Sequence, residues 1–220
     1  MQRDKYITGY LKGAYKKLYS HFGPQHWWPA DSAFEVVLGA ILTQNTNWGN
    51  VEKAISQLKK KRFLSPEKLY HTDVKRIAEA IRPCGYYNIK TARIKSFLET
   101  LFTDFKGSLS RMFSLEPALL REKLLGIKGI GPETADSILL YAADKPVFVV
   151  DAYTRRFLTR HKLIKHQATY AQIQALFERN LPRSLRLFNE YHALIVRLAK
   201  AFCRKKPLCS TCPLEIDKEV

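Results

Sequence analysis

Three groups of residues in this chain have types and spacings that could do chemistry. The run Leu124-Leu125-Gly126-Ile127-Lys128-Gly129-Ile130-Gly131-Pro132-Glu133-Thr134-Ala135-Asp136 places three glycines within six positions. Without a Cβ, glycine lets backbone N–H groups approach an anion closely. A helix opening behind the glycines, with Pro132 in its first turn, adds a dipole of the sign that favours phosphate. Lys128, Gly129, Ile130 and Gly131 are therefore candidate phosphate contacts, with Ile127 and Ile130 expected to anchor the turn in the core. A plain helical turn with a glycine cap accounts for one of these glycines but not for three. The second group is Cys203, Cys209 and Cys212, within ten positions, a spacing that suits a metal site better than a disulfide scaffold. The third is Asp151, which follows the apolar run Val147-Phe148-Val149-Val150 and opens a helix, where N–H groups and the dipole should keep it ionised. On these residues alone Asp151 reads equally as a helix N-cap and as a reactive carboxylate.

The elements that position these groups are helical. Ile94, Phe97, Leu98, Leu101 and Phe102 fall on one helical face, and Leu187, Phe188, Tyr191, Leu194, Ile195, Leu198, Ala199 and Phe202 continue such a face for four turns. Further helices are expected over about Asp4–Phe22, Ser32–Leu42, Asn50–Lys61, Asp73–Ile81, Pro117–Leu125, Thr134–Tyr141, Ala152–Arg160 and Thr169–Asn180. The one strand-like run, Val147–Val150, is too short and isolated to build a sheet. The expected fold class is all-α, with short connections marked by Gly23-Pro24, Ser65-Pro66, Arg82-Pro83-Cys84-Gly85 and Lys145-Pro146 and no low-complexity linker.

Composition limits the partner. The 220 residues carry Lys+Arg 37 against Asp+Glu 20, a formal net charge of +17, with 46% hydrophobic residues. That apolar content argues against a disordered polycation, so the charge sits on a folded surface whose field favours a polyanion, above all nucleic acid. The apolar stretches are far shorter than the roughly 20 residues of a membrane helix, and no apolar run follows the N-terminal charges. Neither a membrane partner nor a secretory signal is expected; the expected location is cytoplasmic and nucleoid-associated. The six histidines, His21, His26, His71, His161, His166 and His192, show no ligand spacing and receive no role. Lys59-Lys60-Lys61-Arg62 reads as a solvated helix end.

The glycine hairpin, the Val149-Val150-Asp151 about twenty residues later and the closing cysteines together resemble the endonuclease III branch of the helix–hairpin–helix (HhH-GPD) DNA glycosylases. Phe34-Glu35-Val36-Val37-Leu38-Gly39-Ala40-Ile41-Leu42-Thr43-Gln44-Asn45-Thr46 is similar to that family's second barrel helix and following loop. Ile81-Arg82-Pro83-Cys84-Gly85-Tyr86-Tyr87-Asn88-Ile89-Lys90-Thr91-Ala92 is similar to its Gly-Tyr-Asn turn. The resemblance implies two helical lobes with a cleft between them: a six-helix barrel with the hairpin over about 32–140, and a second lobe from 1–31 and 141–220 that carries the cysteine loop.

It also implies roles. Asp151 matches the catalytic aspartate that stabilises the oxocarbenium-like transition state as a base departs. The lyase lysine of bifunctional members is replaced by Glu133, which cannot form an imine, so base removal by water without strand scission is expected. Gln44 matches the residue that fills the duplex gap when the nucleotide is extruded. Trp27, Trp28 and Trp48, all in two loops, are expected to build the base pocket, where indole faces suit a cationic alkylated purine. With Trp27-Trp28-Pro29 and Leu42–Trp48, the chain most resembles 3-methyladenine DNA glycosylases of the endonuclease III type. The expectation is a monomeric, monofunctional glycosylase of base excision repair acting on double-stranded DNA with a damaged base. A mismatch uracil/thymine or adenine glycosylase on the same scaffold, and a catalytically silent DNA-binding module, remain as alternatives.

Cys203, Cys209 and Cys212 resemble the family's [4Fe–4S] loop, but the fourth ligand is missing: Lys218 stands where a cysteine is expected, and Cys84 lies in the other lobe. A labile three-cysteine cluster, a zinc site and no metal are all open on the sequence, as is phosphate contact by Arg204, Lys205 and Lys206.

Overall fold

The computed structural model describes residues 2–214, and every regular element among them is helical. In chain order these are α1 (Gln2–Phe22), α2 (Ala33–Leu42), α3 (Trp48–Lys60), α4 (Pro66–His71), α5 (Val74–Ala80), α6 (Tyr87–Phe105), α7 (Leu109–Phe113), α8 (Pro117–Gly126), α9 (Pro132–Tyr141), α10 (Ala152–Arg160), α11 (Tyr170–Asn180) and α12 (Leu185–Ala201), with 3₁₀ turns at Arg82–Cys84 and Cys209–Thr211. The helices start where side chains satisfy orphan N–H groups. Ser32, Asn47, Ser65, Asp73, Ser108, Asp151, Thr169 and Ser184 each accept from a backbone N–H of the first turn. The short α4 and α7 escape the periodicity argument because five or six residues display too little of a helical face.

The chain forms two compact units, one over Trp28–Lys145 and the other from the residues up to Trp27 together with those from Pro146 onward. In the first, α2 is buried from Phe34 to Leu42 on every side and packs against α3, α6 and α9. Its charged neighbours are neutralised in place. Buried Glu35 meets Lys59 at 2.8 Å, and buried Asp136 takes two hydrogen bonds from Arg121, at 2.7 and 3.1 Å. Lys90, 1% exposed, donates its Nζ to Leu42 O and Cys84 O, each at 2.8 Å. It ties the end of α2 to the 3₁₀ turn, and burial lowers its pKa.

In the second unit α12 is the central helix, packed against α1 and α10. Phe188, Tyr191, Leu194, Ile195 and Leu198 are fully buried along it. Tyr191 Oη donates to Leu11 O at 2.9 Å, and Phe148 stacks on Phe177 with ring centroids 3.7 Å apart. The run Val147–Val150 belongs to no regular element; Phe148, Val149 and Val150 are buried and lead into Asp151.

Candidate active site

Candidate functional residues occur in both units. In the first, α8 ends at Gly126, the chain turns through Lys128, Gly129 and Ile130, and α9 opens with Pro132 in its first turn and no side chain capping it. Ile127 and Ile130 are buried at 4% and 5% exposure, while Lys128 and Gly129 are exposed. Gly129 has φ +91°, a conformation L side chains rarely adopt, and a Cβ there would come within 2.4 Å of Arg93 Cγ. The turn is thus built for glycine, and its exposed face stands at the start of α9, where the helix dipole favours an anion. Glu133, at the position of the expected lyase lysine, is exposed in the first turn of α9.

Gln44 leans on this hairpin. Its Nε2 donates to Gly129 O at 3.1 Å and to Thr134 Oγ1 at 2.8 Å, and its Oε1 accepts from Arg93 Nη1. The loop after α2 and the hairpin are therefore joined through one amide and one guanidinium, neither of which the sequence links.

Two of the three tryptophans come together. Trp28 meets Trp48 edge-on, with centroids 5.1 Å apart and planes at 83°, and also lies 5.2 Å from Tyr141. Gly39 makes room: a Cβ there would stand 2.9 Å from the Trp28 ring. Trp48 Nε1 donates to Glu52 at 2.8 Å, fixing its polar edge. Trp27 belongs to the other unit.

In that second unit Asp151 caps α10, its Oδ1 accepting from Thr154 N–H at 2.6 Å. Its Oδ2 lies 3.6 Å from Nε2 of His192 on α12, and the two side chains are 14% and 8% exposed. Burial alone pushes the carboxyl pKa up, but the imidazole and the Thr154 N–H outweigh it and hold the pKa below the ordinary aspartate value. His192 is the residue the sequence did not mark. Its place in an apolar helical stripe hid it, and only packing sets it against a carboxylate 41 positions earlier.

Cys203, Cys209 and Cys212 line one small pocket with His161, Arg160 and Phe202. Arg160 Nη1 lies 3.3 Å from Cys203 Sγ and also donates to Arg204 O, while Nη2 donates to Lys205 O. Among the described residues no three His, Cys, Asp or Glu side chains stand close enough to share a metal ion. The described donors do not fit a [4Fe–4S] cluster, and Lys218 lies outside the described residues.

A family model for the HhH-GPD superfamily of base excision DNA repair proteins matches residues 38–183. The chain belongs to that superfamily. Within it, the chain is 48% identical over 203 residues, 91% of its length and 92% of the relative's, to a Methanocaldococcus jannaschii protein named "Putative DNA repair glycosylase MJ1434". It is 30% identical to an endonuclease III of Sulfolobus acidocaldarius, covering 82% of this chain and 79% of that one. Among solved structures, a Helicobacter pylori 3-methyladenine DNA glycosylase bound to 1,N6-ethenoadenine superposes with a TM-score of 0.72 at 32% identity, covering 90% of this chain and 97% of that one. The chain is thus a DNA glycosylase of the HhH-GPD superfamily, and the all-helical fold is that superfamily's.

Proposed function

We propose that this HhH-GPD glycosylase is monofunctional and hydrolyses the N-glycosidic bond of an alkylated purine, of the 3-methyladenine type, in double-stranded DNA. The observation that carries the chemistry is the state of Asp151: a carboxylate kept anionic at the opening of α10 with Oδ1 already committed to Thr154 N–H. A carboxylate with a depressed pKa is a weak base and a good electrostatic partner. Its contribution is to stabilise positive charge on the sugar as the C1′–N bond breaks and the bonding pair leaves with the base. Water then attacks C1′, and its proton passes to solvent or to the departed base.

Alkylation supports this division of labour, because a cationic purine is already a good leaving group and needs little help from the protein. The Trp28–Trp48–Tyr141 cluster supports the same substrate class, since aromatic faces attract cations without demanding a specific hydrogen-bond pattern. The 32% identical neighbour that bears a 3-methyladenine glycosylase's name points the same way. Glu133 in place of a lysine supports hydrolysis without an imine.

In this reading the hairpin, Lys128 to Gly131, grips a phosphate, Gln44 occupies the gap in the duplex, and Trp27 contributes to binding the base. The enzyme works as a monomer, held on duplex by its positive surface, with no step through a metal. Its expected compartment is the cytoplasmic nucleoid; no helix among the described residues is long and apolar enough to cross a membrane.

An excision panel tests the proposal: duplexes carrying 3-methyladenine, 7-methylguanine, uracil, and mispaired thymine or adenine. Release of the alkylpurines, with intact strands and no borohydride-trapped complex, is expected. Release of uracil alone, or a trapped covalent complex, overturns it. Asp151→Asn should slow release by at least about a thousandfold, roughly 4 kcal/mol of transition-state stabilisation, while leaving duplex affinity intact.

A further inference from the structure

The second unit contains a buried imidazole that no step above uses. Burying a histidine and an aspartate side by side costs desolvation on both, and an apolar pair of similar volume would hold α10 against α12 at least as well. The pair therefore calls for a reason beyond packing, and the geometry supplies one. The two oxygens of Asp151 are approached by different elements: Oδ1 by Thr154 N–H of its own helix at 2.6 Å, and Oδ2 by His192 Nε2 of α12 at 3.6 Å. A carboxylate held at one oxygen can still rotate about its Cβ–Cγ bond; one held at both cannot. The imidazole packs edge-on to the ring of fully buried Phe148, with centroids 6.5 Å apart and planes at 84°.

We infer that His192 is a positioning residue for the glycosylase reaction: it fixes the plane of the Asp151 carboxylate and keeps negative charge on it, so that the charge faces the sugar as it becomes cationic. The inference rests on the proposed role of Asp151. The lowered pKa of Asp151, to which the imidazole contributes, agrees with it. Nε2 stands 3.6 Å from Oδ2, close enough for the imidazole to act on that oxygen electrostatically.

The test uses the full-length protein and two duplexes, one with a neutral tetrahydrofuran abasic site and one with a pyrrolidine analogue whose ring nitrogen carries the positive charge of the transition state. Wild-type protein is expected to prefer the cationic duplex by at least about tenfold, and Asp151→Asn to abolish that preference. His192→Leu should reduce the preference severalfold with affinity for the neutral duplex unchanged, because Asp151 remains but is held at one oxygen only. His192→Asn, whose amide can still donate to Oδ2, should recover most of it. Where His192→Leu fails to fold, His192→Met carries the same expectation.

Full preference in His192→Leu overturns the inference alone. So does an equal loss in the Leu and Asn variants, or a parallel loss on both duplexes, each of which marks a purely structural histidine. Preference surviving in Asp151→Asn overturns the role of Asp151 itself, and the inference with it.

Discussion

At the scale of single residues, the carboxylate of Asp151 unites two readings that the sequence left equal. It is a helix cap, with Oδ1 on Thr154 N–H, and the capping bond is part of what keeps it charged. A cap committed to the backbone makes a poor proton acceptor but an excellent fixed charge, so in the role proposed for Asp151 capping and catalysis reinforce each other. This fixes the direction of a pH effect. Since the folded pKa lies below the ordinary aspartate value of 3.8, the active anion persists down through that value and is lost only as pH falls below it. Single-turnover excision should accordingly be flat from neutral pH to about pH 5, with no acid limb centred in the range where histidines or free carboxylates of raised pKa titrate. A limb near pH 6 would show that a different group carries the charge.

At the scale of elements, the glycine hairpin was legible because its requirement is local: φ +91° at Gly129 and a helix start at Pro132 are consequences of residues adjacent in the chain. The cysteine trio, the long amphipathic helices and the apolar lead into Asp151 were legible for the same reason. What could not be read were contacts made by packing. Lys90, an ordinary surface residue by type, is buried under two carbonyls, and His192 lies on an apolar stripe. Gln44 meets Gly129 and Thr134 some 85 and 90 positions away. Arg93 belongs to this class. Its Nη1 holds Gln44 Oε1, and its aliphatic stem fills the space a Cβ on Gly129 would take. Two substitutions separate these duties. Arg93→Ala should leave the hairpin folded but release Gln44, slowing excision by about tenfold (1.4 kcal/mol) with a small change in melting. Gly129→Ala combines a left-handed backbone with a collision, so it should destabilise the unit by about 2 kcal/mol or more and weaken duplex binding. Wild-type excision by Arg93→Ala would show that the amide is held well enough by the hairpin alone.

At the scale of the whole molecule, the +17 surface charge and one histidine of lowered pKa both weaken the fold as pH falls. The surface excess repels itself at every pH below the pI and serves binding, not folding. The half-buried His161 adds a specific sensitivity. It stands at the end of α10, hydrogen-bonded through Nδ1 to Tyr10 Oη of α1 and tilted against Phe157, and burial pushes its pKa down to about 4. An unfolded chain takes up this proton near pH 6.5, whereas the folded one refuses it until about pH 4. Between those values the unfolded state binds more protons, so stability falls as pH falls, and below about pH 4 the penalty is complete. The shift sets a ceiling of about 3 kcal/mol, reduced because the ring is only partly buried. Urea midpoints measured from pH 7.5 to 4 should therefore decline across this window in the wild type. His161→Gln keeps an acceptor for Tyr10 and cannot titrate, so it should flatten the decline while shifting the neutral-pH midpoint little. An undiminished slope in that variant would assign the acid sensitivity to the charge repulsion of the surface, which grows over the same range as carboxylates are neutralised.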